Sequence, residues 1–450
     1  MAAHHDEAER VVPSSHPDGA DGPRAPQGVA RRVAGVLEAL LGGDPPVRFL
    51  FWDGSALGPD DVPGAVVVRS SRALARLLWA PGELGIARAY VAGDVDLEGS
   101  PFELVARLGA RTRGTPHVGP RALAETVAAA VGLGALSLPP RPPDVEVRLS
   151  GVLHSLRRDA SAVRHHYDVG NEFYELVLGP SMTYSCARFV TGSTSLEEAQ
   201  RAKHDLVCRK LGLAERPGSR LLDVGCGWGS MALHAAERYG AHVLAVTVSP
   251  EQATYARRRV AQAGVGGRVE VRLCDYRELR GETFDAVSSI GMFEHVGTKR
   301  MGEYFATLRS LLAPRGRMLN HAISKAGGSR MHGRSFMNRY VFPDGELVDV
   351  AAVTAAMEGA GFEVRDVESL REHYSETLRA WVANLERSWD EAVRLVGEER
   401  ARVWRLYMSG SAVNFDVGGI ALHQVLGVVP DRDGSSGMAR TRAGFGDGTV

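Results

Sequence analysis

Apolar residues follow two rhythms along this chain. Between Val29 and Leu41 they recur at Val29, Val33, Val36, Leu37, Leu40 and Leu41, with Arg31, Arg32 and Glu38 opposite. That spacing predicts an amphipathic helix, closed by Gly42 and Gly43, with its apolar face turned to a core or to lipid. VRFLFWDG and AVVVRS predict strands. SRALARLLWA and SPFELVARLGA predict helices, with ELGIARAYVAGDVDLEG between them. A helix near Arg121–Leu133 and the proline run Pro139–Asp144 form a junction. Residues 28–143 therefore read as a small mixed domain with its junction. From Glu197 the rhythm changes. SLEEAQRAKHDLVCRKLGL predicts a helix with a serine cap. RLLDVG, HVLAVTV, VEVRLCD, FDAVSSIG and RGRMLNHAI read as buried strands, with helices between most of them. This alternation predicts an α/β fold, a doubly wound parallel sheet with ligands at the strand carboxyl ends, over residues 144–430. From Asp349 the pattern adds two helical stretches, AAVTAAMEGAG and ETLRAWVANLERSWDEAVRLV, and an apolar run near Ile420–Val429. Residues 1–27 and 431–450 are polar and predict disorder.

Within the larger domain, LLDVGCGWG ends a strand on Asp223 and places Gly225, Gly227 and Gly229 at alternate positions. Glycine there lets the backbone turn sharply and approach a ligand that any Cβ would push away. The following SMALHAAERYG reads as a helix with a glycine cap. Strand, glycine turn and helix together predict a site for an adenosine-containing cofactor. A dinucleotide site would need an acid at the end of the second strand, about 20 residues on. That strand ends instead on Thr247 and Ser249. No lysine follows the glycines, which excludes a Walker-type phosphate cradle. The loop resembles that of S-adenosylmethionine (SAM) methyltransferases.

Composition narrows the class further. The 450 residues carry a net charge of −1, which argues against nucleic-acid binding through bulk charge. Cys186, Cys208, Cys226 and Cys274 form no C-x-x-C pair, so reduced thiols are expected rather than disulfides or a metal site. No apolar window reaches the roughly 18 residues of a membrane span, and the amino terminus has no apolar signal region. A cytoplasmic protein is expected.

Four more segments converge on one family: HHYDVGNEFYELVLGPSMTYSCARF (from His165), MFEHVG (Met292–Gly297), HAIS (His321–Ser324) and HYSETLRAW (His373–Trp381). With them the chain resembles the cyclopropane fatty acid synthase family, which includes the mycolic acid cyclopropane synthases. The likeness covers most of residues 85–430. RFLFWDGSALGP and the high Arg, Ala and Gly usage are similar to the actinobacterial subgroup, which includes enzymes forming 10-methylene-stearate. The resemblance implies a Rossmann-like class I SAM methyltransferase domain at 144–430, acting on the cis double bond of an unsaturated fatty acyl chain in a phospholipid. A 10-methylene chain and a cyclopropane ring are both open as products.

The resemblance also implies roles. A bound bicarbonate ion would serve as base, held by Cys186, Glu294, His321, Ile323 and Tyr374, with Cys186 and Ile323 offering mainly backbone groups. SAM would contact Tyr184 and Ser185 at its methionine end, Gly225 and Gly227, then Thr247, Val248 and Gln252 at the ribose. Asp275 would accept from the adenine amino group, next to Tyr276. An alkene is a poor nucleophile, and its attack on a sulfonium methyl leaves a carbocation. Such a site must be dry, apolar and rich in aromatic faces, with a base within reach. Ser230 stands where many relatives carry another glycine. Glu146 reads first as a solvated junction residue and second as an extra acid at the pocket. Arg31, Arg32, Arg121, Arg157 and Arg158 are candidate headgroup contacts at a membrane surface, to which the protein would be peripheral. A homodimer is compatible with the family. A methyltransferase for a small polar molecule and a non-catalytic lipid-binding protein are the competing readings.

Overall fold

The computed structural model describes residues 27–112, 119–135, 138–147, 169–192, 194–330, 335–343 and 345–445. His165, Arg157 and Arg158 lie outside the described residues, as does the Arg121 side chain.

Strands β1 (Arg48–Phe51), β2 (Ala56–Leu57), β3 (Ala65–Val68) and β4 (Val95–Glu98) form a four-stranded sheet of order β2-β1-β3-β4. The helix Gly28–Leu41 ends on Gly42 in the left-handed conformation. It buries Val29, Val33, Val36, Leu40 and Leu41 against Phe49, Phe51 and Val66. Its apolar face is thus committed to the core and not to lipid. The segment between the two predicted helices folds as the helix Glu83–Val91 followed by β4.

The larger sheet uses β5 (Arg220–Val224), β6 (His242–Thr247), β7 (Val269–Leu273), β8 (Phe284–Ile290) and β9 (Leu312–Ser324), all mutually parallel. Successive residues face opposite layers, as strand geometry requires. Leu221, Val243 and Ala245 join one core with the helices Leu196–Lys210, Ser230–Tyr239 and Pro250–Gln262. Leu222, Leu244 and Val246 join the other with Tyr304, Phe305 and Met357. Ser195 and Glu198 close a capping box at the head of the helix Leu196–Lys210.

Beyond β9 the doubly wound parallel sheet gains an antiparallel edge. A two-residue pair, β10 (Ser329–Arg330) and β11 (Glu346–Leu347), comes first. Then β12 (Glu363–Ser369) and β13 (Ala421–Val428) complete a seven-stranded order β12-β13-β9-β8-β5-β6-β7. β13 runs antiparallel to both of its neighbours. The apolar run near Ile420 is therefore an internal strand, preceded by the helix Glu398–Asp416.

Two expectations change. Residues 431–445 are packed rather than disordered: Met438 and Phe445 rest on one sheet core, and Arg442 pairs with Asp366 at 2.8 Å. Glu146 is neither solvated nor at the cofactor cavity. It is buried and takes both prongs of Arg88 at 2.7 Å, with the Tyr340 hydroxyl donating at 3.2 Å. Burial pushes this carboxyl up, but Arg88 and Tyr340 outweigh it and hold it below the usual range. With Arg402, which donates to the Tyr90 and Val95 carbonyls at 2.8 and 2.7 Å, this pair ties the helix Glu83–Val91 and β4 to the rest of the chain.

Candidate active site

The carboxyl ends of β5, β6, β7 and β8 surround a cavity of about 210 Å³. The glycine turn forms its floor. Gly225, Gly227 and Gly229 have φ of 73°, 54° and 84°, the left-handed region where a side chain strains the backbone. A Cβ on Gly225 would also sit 3.0 Å from Met292. The Gly225 and Cys226 amides both donate to the Val246 carbonyl at 3.0 Å, which ties the turn to β6. Tyr184, Ser185, Gly225, Gly227, Thr247, Val248, Gln252, Asp275 and Tyr276 all line this cavity. The Thr247 hydroxyl meets Gln252 Oε1 at 2.8 Å, while Ser249 caps the helix behind them. The Asp275 carboxylate is held by its neighbour Arg277, through the amide at 2.9 Å and the guanidinium at 2.6 Å. Burial pushes Asp275 up, and these bonds bring it below the usual carboxylate range.

Lys203 and Arg300 also line the cavity and were not singled out in the sequence. Lys203 had a legible signal: it falls on the apolar stripe of its helix with Leu196, Ala199 and Leu206.

Beside the cavity stands a second group of the expected site residues, Glu294, His321, Ile323, Cys186 and Tyr374, none of which lines it. Glu294, in a short turn after β8, accepts the Ile323 amide at 2.8 Å through Oε1, and its Oε2 is shielded from water with no partner among the described residues. Ile323 therefore spends its N–H on Glu294. Burial raises the Glu294 carboxyl to about 7. His321, on β9, stands 3.2 Å from the Gln424 amide through Nδ1, and its Nε2 is buried with no partner among the described residues. Burial, with Lys203 and Lys210 adding to it, holds this imidazole far below its usual range and so neutral. The Gly291 amide donates to the His321 carbonyl at 2.9 Å, which joins the ends of β8 and β9. Cys186 and Tyr374 meet at another point. The Cys186 thiol lies 3.6 Å from the Leu370 carbonyl, and the same carbonyl accepts the Tyr374 amide at 3.2 Å. Burial keeps the Cys186 thiol protonated, which makes it a packing group and not a nucleophile.

Aromatic rings pack together next to this group. Tyr184 packs 5.2 Å from Trp381 and 5.7 Å from Trp404, and Tyr374 packs 4.8 Å from Phe415. The Tyr184 hydroxyl donates to that of Tyr407 at 3.1 Å. Tyr184 lines the cofactor cavity, whereas Tyr407 lines a second, small cavity of about 20 Å³ with Val145, Val169, Tyr340, Val341, Arg400, Val403 and Trp404. Glu294 acts on the Tyr407 hydroxyl and raises its pKa, as burial does. The larger cavity has room for a polar ligand on one side of Tyr184, while the apolar space on the other side, about 20 Å³, holds little more than a water molecule in this conformation.

Comparison with known proteins agrees with this geometry. The family model described as mycolic acid cyclopropane synthetase matches residues 154–425. The Mycobacterium tuberculosis protein named "Probable fatty acid methyltransferase Rv3720" is 43% identical over 418 residues, 90% of this chain and 96% of its own. Tuberculostearic acid methyltransferase UfaA1 of the same species is 34% identical over 393 residues, 84% of this chain and 87% of its own. The crystal structure of mycolic acid cyclopropane synthase CmaA1 complexed with SAH and CTAB superimposes with a TM-score of 0.56 at 34% identity. It covers 60% of this chain and 98% of its own.

Proposed function

The chain belongs to the mycolic acid cyclopropane synthetase family and is a SAM-dependent methyltransferase of fatty-acid or lipid substrates; we propose that it methylates the cis double bond of an unsaturated acyl chain in a phospholipid, giving a 10-methylene chain. The observation that carries this reading is Glu294, a half-buried acid raised to about 7, whose Oε2 is shielded from water and has no partner among the described residues, close to Tyr407 of the aromatic cluster. SAM supplies an electrophilic methyl on a sulfonium. The alkene π pair forms the new carbon–carbon bond, sulfur keeps the electrons of the broken bond, and the neighbouring carbon becomes a cation. The faces of Tyr184, Trp381 and Trp404 stabilise that charge, and the apolar walls exclude the water that would trap it. A hydride shift followed by proton loss from the new methyl gives the methylene. Proton loss with ring closure gives a cyclopropane instead, the outcome that the family's name favours. The name of UfaA1 supports the branched outcome.

The unpartnered Oε2 of Glu294 and Nε2 of His321 suit a small oxyanion. Bicarbonate would accept from neutral His321 and from Tyr374 and donate to Glu294. A bound base of this kind would take the proton beside the aromatic cluster. No described helix is long and apolar enough to cross a membrane, so a protein that reaches its lipid from the membrane surface fits this reading, as does a homodimer.

Incubation with methyl-labelled SAM and dioleoyl phosphatidylglycerol vesicles tests the proposal. Label is expected in acyl chains lengthened by one CH2. Ozonolysis then cleaves a methylene product and spares a ring. Unlabelled acyl chains, from protein shown to bind S-adenosylhomocysteine (SAH), would overturn it.

A further inference from the structure

Lys203 is a buried cation with no assigned task. It is 1% exposed, it lines the cofactor cavity, and its Nζ donates to the Ser185 hydroxyl at 2.9 Å. Among the described residues no carboxylate stands within ion-pair distance of it. An ammonium withdrawn from water without a counter-ion is costly and loses its proton readily. Burial accordingly lowers Lys203 to about 7, against smaller opposing effects of Cys186, Asp223 and Cys208. His204 on the same helix and His321 on β9 complete the titratable groups around it, and burial keeps both neutral.

Across the cavity wall, Asp223 is 2% exposed. Its Oδ1 accepts from Ser288 at 2.7 Å, and its Oδ2 is buried with no partner among the described residues. Ser185 is fixed from a second side, since Gln200 donates to its carbonyl at 2.9 Å. A buried lysine, a pinned hydroxyl and a half-free carboxylate thus face one space. SAM carries one anionic group, the carboxylate of its amino-acid end, and two cationic ones. A lysine would repel the ammonium and the sulfonium and attract only the carboxylate, while Asp223 suits the ammonium.

We propose that Lys203 is the counter-ion of the cofactor's amino-acid carboxylate, with Ser185 as the adjoining donor, and that cofactor binding places a proton on Lys203 Nζ. The proton comes from solvent and stays while the carboxylate is bound. The acyl substrate plays no part, so this inference stands or falls separately from the proposed reaction.

Calorimetric titration of the wild-type protein with SAH at pH 8, in two buffers of different ionisation enthalpy, reads the proton directly. Uptake approaching one proton per SAH is expected, because a lysine near 7 is largely neutral at that pH. The decarboxylated analogue of SAH is expected to bind with none. Lys203→Met should weaken SAH about 30-fold and leave the analogue within about threefold, as loss of a buried charge partner predicts. No uptake with SAH, equal uptake with both ligands, or equal weakening of both in the variant would overturn the assignment. The wild-type comparison decides the matter even if the variant does not fold.

Discussion

The two sides of Tyr184 are built in opposite ways. The cofactor cavity takes much of its wall from strand ends and the turns that follow them, joined by the loop Met182–Ser185 and by Lys203, His204 and Gln252 from two helices. The aromatic side gathers Tyr174, Tyr184, Trp228, Trp381, Trp404 and Tyr407 from distant helices and loops into one cluster, with Ala80, Leu84 and Tyr90 of the small domain behind them. The first is a property of local turns and the second of tertiary packing. A methyl donor can therefore be held by a common scaffold, while the acceptor's chemistry depends on everything packed around it.

Substitutions on either side should separate the two. The largest effect is expected from Glu294→Gln, with turnover reduced at least about 100-fold and SAH affinity within about twofold of wild type. The carboxyl's folded pKa, about 7, exceeds its ordinary 4.5. The native state therefore holds its proton more tightly, and stability falls as pH rises from 4.5 to 7. The same variant should consequently melt at a higher temperature than wild type at pH 8, and this advantage should vanish below pH 4.5. A variant with full turnover would place Glu294 outside the chemistry, and one that is slow but unstabilised at pH 8 would show that its carboxyl is not raised. On the other side, Gly225→Ala strains a φ of +73° and crowds Met292. SAH affinity should drop about tenfold, with little change in turnover at saturating SAM, since left-handed strain costs about 1–2 kcal/mol. The smallest effect tests the shared wall. Tyr407→Phe leaves the Tyr184 hydroxyl without its acceptor and should slow turnover about fivefold, at the roughly 1 kcal/mol of one buried hydrogen bond, with SAH binding unaffected.

Legibility in the sequence follows the same division. All nine cofactor-side residues line the cavity: Gly225, Gly227, Thr247, Val248, Asp275 and Tyr276 stand at or just after strand ends, Tyr184 and Ser185 come from a loop, and Gln252 from the first turn of a helix. Glu294, Ile323 and His321 also fall together, since β8 and β9 are neighbours. What escaped depends on partners far along the chain. Glu146 reads as solvated until Arg88, 58 residues away, is placed beside it. Lys203 looks like any charged helix residue unless its stripe is followed. The strand β12, EVRDVES, was absorbed into a helical region because its alternation is short and charged. The polar tail from Asp431 looks unable to pack, yet buried Arg317 bonds the Gly437 carbonyl at 3.4 Å. The antiparallel edge of the sheet cannot be read from strand patterns at all, because pairing direction leaves no mark on an apolar run.

The position of β13 bears on how the protein is made. This strand is translated after every other strand of its sheet, yet it lies inside the sheet, between β9 and β12. Until residues 421–428 leave the ribosome, β9 presents a bare row of amide and carbonyl groups and β12 has nothing to pair with. Open edges of that kind are templates for intermolecular pairing. Stalled or prematurely terminated nascent chains of this protein are thus primed to aggregate, and timely completion of synthesis is itself a safeguard of solubility.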